Sequence, residues 1–187
     1  ILLYRNADYR GAEQQFDHYL AAHPQHRLAL EYRARLLRET GRPQAALSDY
    51  QRLIGLYPDL DPGTYLSAAA LMADPPVSDI EGALALLDRR MVDTGVIPQL
   101  QRRAIRLERE RRDYDAAIQR LATLDEKTRA TPEWHLEMAE LLILSGDGAG
   151  AAPHLQIAEE QLQVGRQTPV RAQLWQRLQT LRAEAVP

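Results

Sequence analysis

The sequence predicts an all-α fold, a stack of antiparallel helical hairpins closed by one further helix, and three observations predict it. The first is a period of 34 residues: Ala12, Phe16 and Pro24 return at Ala46, Tyr50 and Pro58. Self-similarity at such a period means one hairpin repeated, each copy burying its apolar face against the next. The second is punctuation. Asp61-Pro62, Thr131-Pro132 and Thr168-Pro169 each join an N-cap side chain to a proline whose missing N–H is harmless in a first helical turn. The third is spacing: Val170, Leu174, Leu178 and Leu181 recur at four, four and three residues, one stripe of a helix.

Taken in order, the first six residues finish a truncated helix. Helices follow at about 8–22, 27–40, 43–56, 62–73, 79–93, 98–111, 114–125, 132–144, 149–165 and 169–185. The second of each pair carries a small residue and a large one four later: Ala12 and Phe16, Ala46 and Tyr50, Ala83 and Leu87, Ala117 and Leu121, Ala151 and Leu155. The first helices carry Leu30, Ala34 and Leu37, then Leu100, Ala104 and Leu107, then Trp134, Ala139 and Leu142. Gly41 and Gly146 close two of them, and Arg112 stands where the third would have its turn glycine. From Ala46 to Ala83 is 37 residues, so about three extra residues lie in this interval, at Ala73 to Ser78, where paired prolines lengthen the turn. Ser78 with Glu81 reads as a capping box, and Pro153 is expected to delay or kink its helix. The divisions are 1–26, 27–60, 61–96, 97–130 and 131–165, with a capping helix in 166–187.

These hairpins resemble the tetratricopeptide repeat, on the alanine, the large residue four later and the terminal proline. The resemblance covers nearly all of residues 1–165, with individual repeats degenerate. It implies a right-handed α-solenoid and a scaffold for protein interaction, in which the first helix of each hairpin lines a concave groove that takes an extended or helical peptide. Carried over helix by helix, the groove positions are Tyr4 and Arg5; Glu31, Tyr32, Arg35, Arg38 and Glu39; Tyr65, Leu66, Ala69 and Met72; Gln101, Arg102, Ile105 and Arg109; and Leu136, Glu137, Glu140 and Ile143. The implied surface grades from tyrosine and arginine through an apolar middle to an acidic end. It suits a peptide whose acidic part meets Arg35 and Arg38 while an apolar side chain enters beside Tyr65 and Met72. The lysine and asparagine carboxylate clamp of the chaperone-binding members is missing.

Composition narrows the alternatives. A net charge of -3 and a pI near 6.0 provide no global drive toward nucleic acid or an anionic membrane. No apolar run approaches the roughly 20 residues of a membrane span. Absence of cysteine rules out disulfides, thiolate metal sites and cysteine nucleophiles. Of the 23 basic residues only Lys127 is lysine, which points to GC-rich bacterial coding. The missing cysteine and a start at Ile1, inside a repeat, tilt the expectation toward the periplasm over the cytoplasm and toward a fragment of something longer.

The sequence shows no catalytic signature. It lacks the histidine pair of the zinc proteases, a phosphate-cradling glycine loop ending in lysine, and the nucleophile elbow. No catalytic residue, cofactor or metal is expected; His23 and His26 read as a solvated turn beside Pro24. The run from Gln101 to Asp115 holds six arginines among four acids. It reads as a solvated face with a Glu108–Arg112 pair, in preference to a nucleic-acid stripe, because interleaved acids blunt attraction to a polyanion. Two functions remain: a groove that binds a segment of another protein, or an assembly element stacking through its first hairpin, by self-association or on an upstream repeat.

Overall fold

The computed structural model describes residues 1–5, 8–92, 94–164, 166 and 168–185, and among these every regular element is helical. The helices are α1 (Leu2–Arg5), α2 (Tyr9–Ala22), α3 (Arg27–Glu39), α4 (Pro43–Leu56), α5 (Pro62–Ala73), α6 (Ile80–Val92), α7 (Pro98–Glu110), α8 (Tyr114–Ala122), α9 (Glu126–Arg129), α10 (Pro132–Leu144), α11 (Gly148–Gln163) and α12 (Pro169–Glu184). They fall into two compact units, residues 1–100 and 101–187.

The alanine column found in the sequence is the spine of both units. Ala12, Ala46, Ala83, Ala117 and Ala151 are all buried, and so are Phe16, Tyr50, Leu87, Leu121 and Leu155 four residues on. The missing side chain lets the partner helix approach, and the large residue one turn later fills the space beside it. Burying each such large side chain contributes about 1.5–3 kcal/mol. In the first unit α3 packs on α4, and α5 on both α4 and α6. In the second, Leu178 and Leu181 of α12 close over Leu136 and Ala139 of α10 and Leu155, Ala158 and Leu162 of α11. Val170, expected on the same stripe, is 59% exposed, because it sits in the first turn of α12, ahead of the packed face.

One turn recurs three times. After α3, the N–H of Gly41 donates to Arg38 O and that of Arg42 to Leu37 O; after α7, Arg112 donates to Arg109 O and Asp113 to Glu108 O; after α10, Gly146 donates to Ile143 O and Asp147 to Leu142 O. Each turn pivots on a left-handed residue, Gly41 at φ 74°, Arg112 at φ 62° and Gly146 at φ 90°. Arg112 therefore occupies the glycine position with an ordinary side chain.

Four local expectations are corrected. The residue that caps α6 is Asp79, whose Oδ1 accepts from the Gly82 N–H at 2.8 Å. Ser78 has instead turned to φ 54° within the long turn, where it cannot cap. The helix expected over 114–125 stops at Ala122, because Asp125 starts a separate turn by accepting from the Thr128 N–H at 3.0 Å. Pro153 does not delay α11: Asp147 accepts from the Gly150 N–H at 2.8 Å and starts the helix at Gly148, so the proline lies inside it. Finally, Glu108 does not pair with Arg112. Its carboxylate takes Arg111 Nε at 2.6 Å and Arg120 Nε at 3.0 Å, while the left-handed turn carries Arg112 away from the helix face.

Candidate functional site

The first unit gathers a tyrosine and arginine surface on its first helices. Tyr4 of α1 donates its hydroxyl to Glu39 Oε1 of α3 at 2.7 Å. Its ring stands edge-on to Tyr32 with centroids 5.7 Å apart, and Tyr32 in turn stacks on Phe16. Burial and the Glu39 carboxylate push the Tyr4 phenol up to about 12, so it stays a hydrogen-bond donor at any physiological pH. Arg35 lies 5.7 Å from the Tyr32 centroid and is paired with Glu31 one turn back.

Arg38 differs from Arg35 in its partner. Its Nη1 donates to the neutral Ser67 Oγ of α5 at 3.1 Å, and Ser67 is also bonded to the buried Tyr50 hydroxyl. Among the described residues no carboxylate pairs with Arg38, so an exposed guanidinium charge is held in place without being neutralised. A part-buried bidentate pair ties the helices together: Arg33 Nε and Nη2 donate to Asp49 at 2.7 and 2.6 Å, and Arg33 Nη1 reaches Asp17 at 2.8 Å. Those carboxylates hold the Arg33 guanidinium well above its ordinary proton affinity.

Other expected groove positions belong to the interior. Tyr65 is 2% exposed, with its hydroxyl donating to Pro58 O at 2.8 Å. Ala69 is also buried. Met72 is half-buried with its methyl over Gly82 of α6, where a Cβ would stand 2.7 Å away. Leu66 is half-buried. The physical reason is the nearly all-apolar sequence of α5, which carries no polar stripe to show which face points outward. The side chain of Arg5 lies outside the described residues.

The second unit corrects the expected acidic end. Arg102 of α7 reaches Glu137 of α10 at 3.6 Å, Arg109 reaches Glu140 at 2.6 Å, and Glu140 also holds Arg177 of α12. The acids and arginines assigned to separate stretches of the groove neutralise one another, because successive first helices place them side by side. Gln101, Ile105 and Leu136 are buried and Ile143 is half-buried. Gln101 donates to Arg120 O at 3.1 Å and to Thr123 Oγ1 at 2.8 Å, tying α7 to the end of α8.

One pair escaped the sequence reading. His135 of α10 and His154 of α11 face each other with Nδ1 atoms 3.0 Å apart, beside the Trp134 ring. Burial pushes the proton affinity of both imidazoles down, and for His135 the neighbouring His154 adds to it. The repeat period could have found them: they lie 34 residues beyond Gln101 and Arg120, which are also joined. In the first unit, His26 accepts from the Ala29 N–H through Nδ1 at 3.2 Å as the cap of α3, and His23 packs on Tyr19. No group of three or more His, Cys, Asp or Glu residues among the described residues converges on a metal position.

Comparison with known proteins follows the same lines. Residues 1–61 match the family model described as tetratricopeptide repeat. No curated protein matches the chain. Among solved structures, MamA superposes with a TM-score of 0.69 at 14% identity, covering 89% of this chain and 92% of that one. PilW, a widely conserved type IV pilus biogenesis factor, superposes with a TM-score of 0.59 at 16% identity, covering 98% and 82%. A thermophilic tetratricopeptide repeat protein from Thermus thermophilus does so at 0.53 with 22% identity, covering 97% and 94%. At these identities the structures show a shared fold. Residues 1–61 are therefore identified as tetratricopeptide repeat, and the same helical hairpin recurs after them in an all-α chain that shares the fold of these repeat proteins.

Proposed function

We propose that the chain is a protein-interaction scaffold whose first unit binds an acidic, partly aromatic or apolar peptide segment on the first-helix surface around Tyr4, Tyr32, Arg35 and Arg38. The tetratricopeptide fold supports the general reading, since arrays of this kind are protein-binding scaffolds more often than enzymes. The observation that carries the specific one is Arg38, an exposed guanidinium positioned by Ser67 and left without a carboxylate among the described residues. A carboxylate on the peptide would complete it with a charge-assisted hydrogen bond. The tyrosines beside it offer rigid, amphipathic contact area. Tyr65, Ala69, Gln101, Ile105 and Leu136 are not part of this surface.

The test is binding of an acidic-aromatic peptide library to the whole chain, followed by Arg38→Ala and Tyr32→Ala. Arg38→Ala is expected to weaken selected peptides by about 1.5–3 kcal/mol, the range of a hydrogen bond between charged groups, with helicity and melting temperature unchanged. Selected peptides that bind both variants as tightly as the parent would place the contact elsewhere.

A second reading is self-association through the first hairpin. It is favoured by Leu2, Tyr19 and Leu28, large apolar side chains left exposed on α1, α2 and α3. Light scattering over a wide concentration range decides it: a strict monomer removes this reading and leaves the peptide surface standing.

A further inference from the structure

We propose that His135 and His154 form a two-imidazole binding site between α10 and α11 for a borderline divalent transition-metal ion, Zn²⁺, Ni²⁺ or Cu²⁺. The two Nδ1 atoms are 3.0 Å apart. Adjacent ligand positions on an ion with metal–nitrogen bonds of about 2.0–2.1 Å are separated by about 2.9 Å at a right angle and about 3.4 Å in a tetrahedron. The pair already has the spacing of two adjacent ligands, and the rings need only turn so that both lone pairs meet at one point.

The surroundings hold that spacing. His135 and His154 stand on neighbouring helices whose facing core is closed by Leu136, Ala139, Ala151, Leu155 and Ala158, so the two chain positions are fixed before any ion arrives. Preorganised donors lose little freedom on binding. Without metal, one Nδ1 carries a proton and the other accepts it. With metal, that proton moves through solvent to Nε2 of the same ring, both imidazoles stay neutral, and no net proton is released. Both rings are half-buried, so water reaches the open side and can complete the coordination.

The ligand type sets the ion class. Neutral imidazole suits Zn²⁺, Cu²⁺ and Ni²⁺, whereas Mg²⁺ and Ca²⁺ require oxygen donors. Burial weakens proton binding at both rings, which leaves the lone pairs available to a metal at neutral pH. With no third His, Cys, Asp or Glu converging among the described residues, the site is open and exchangeable, unlike a closed structural one. Elsewhere, His26 Nδ1 is engaged as a helix cap and His23 is packed against Tyr19.

Trp134 supplies the readout, its ring centroid lying 5.1 Å from that of His135 and 5.5 Å from that of His154. Titrating the whole chain carrying Trp175→Phe with NiCl₂ is expected to quench Trp134 fluorescence saturably, with one ion per chain. His135→Gln and His154→Gln should each weaken this by at least about tenfold, while His23→Gln leaves it unchanged. Quenching that does not saturate, or that follows the same curve in either glutamine variant, overturns the proposal. Should a variant lose helicity, long-range proton–nitrogen spectra of the parent decide: ZnCl₂ must shift the Nδ1 signals of His135 and His154. Shifts confined to His18, His23 and His26 overturn it equally.

Discussion

Arg112 carries a left-handed backbone, φ 62°, at the position where Gly41 and Gly146 serve the equivalent turns. A side chain in that conformation meets its own carbonyl and costs about 1–2 kcal/mol, part of which glycine returns as unfolded-state freedom. Arg112→Gly is therefore expected to raise stability by about 0.5–1 kcal/mol in denaturant unfolding, with the native spectrum unchanged. Glu108 is the second residue out of place. In the register of these turns it stands where Leu37 and Leu142 stand, yet it is 2% exposed and bound by Arg111 and Arg120. Glu108→Ala loses both ion pairs and leaves a cavity, for an expected cost of about 2–4 kcal/mol. Glu108→Leu fills the cavity and leaves only arginines that are already part-exposed, so it should recover at least half of that loss. If chemical unfolding shows the two variants equal, the carboxylate itself is what matters.

Among elements, α10 and α11 are joined by the His135–His154 contact as well as by their core. The sign of its pH dependence follows from the direction of both shifts. Burial lowers the folded-state proton affinity of each ring, so the unfolded chain takes up protons first as pH falls. The associated stability is complete above the ordinary histidine value of about 6.5 and declines as pH drops through it toward the lower folded values. Thermal unfolding in metal-free buffer between about pH 7.5 and pH 5 should show this decline. A His135→Gln/His154→Gln double variant should flatten it. At the same scale α11 shows how a local rule is overridden. Pro153 removes one N–H donor, but the Asp147 cap and the buried column Ala151, Leu155, Ala158 and Leu162 carry the helix through it.

At the scale of the whole molecule, each unit is stabilised by neighbour on neighbour, as in any stacked-repeat protein. Removing α12 strips Leu178 and Leu181 from the core of the second unit and leaves Glu140 and Glu159 without Arg177 and Arg182. The lost apolar burial alone is about 3–6 kcal/mol. A chain ending at residue 167 should therefore lose hydrogen-exchange protection in α10 and α11 while α3 and α4 keep theirs. Equal loss in all four helices would show that stability is shared along the chain and is not built locally.

Legibility followed the same scales. The helices and their ends could be read because caps, prolines and the 34-residue column are local or periodic signals, and the helix expected over 62–73 is α5 to the residue. The outward face was harder. In α3, where charged residues alternate with apolar ones, Tyr32 and Arg35 are half-buried and Arg38 is exposed. In α5, where apolar residues run all round, Tyr65 was indistinguishable from a surface aromatic until the fold buried it under its bond to Pro58. By itself the sequence determined that this chain repeats a helical hairpin, where its longer helices start to within a residue, and which small and large residues form its spine. Only the tertiary structure decided which charges survive: Arg102 and Arg109 are matched to Glu137 and Glu140, Arg38 meets only a hydroxyl, and two histidines 19 residues apart come into contact. Pairing between helices depends on how their faces rotate against one another, and that rotation is set by packing across hairpins, which no local pattern of residues records.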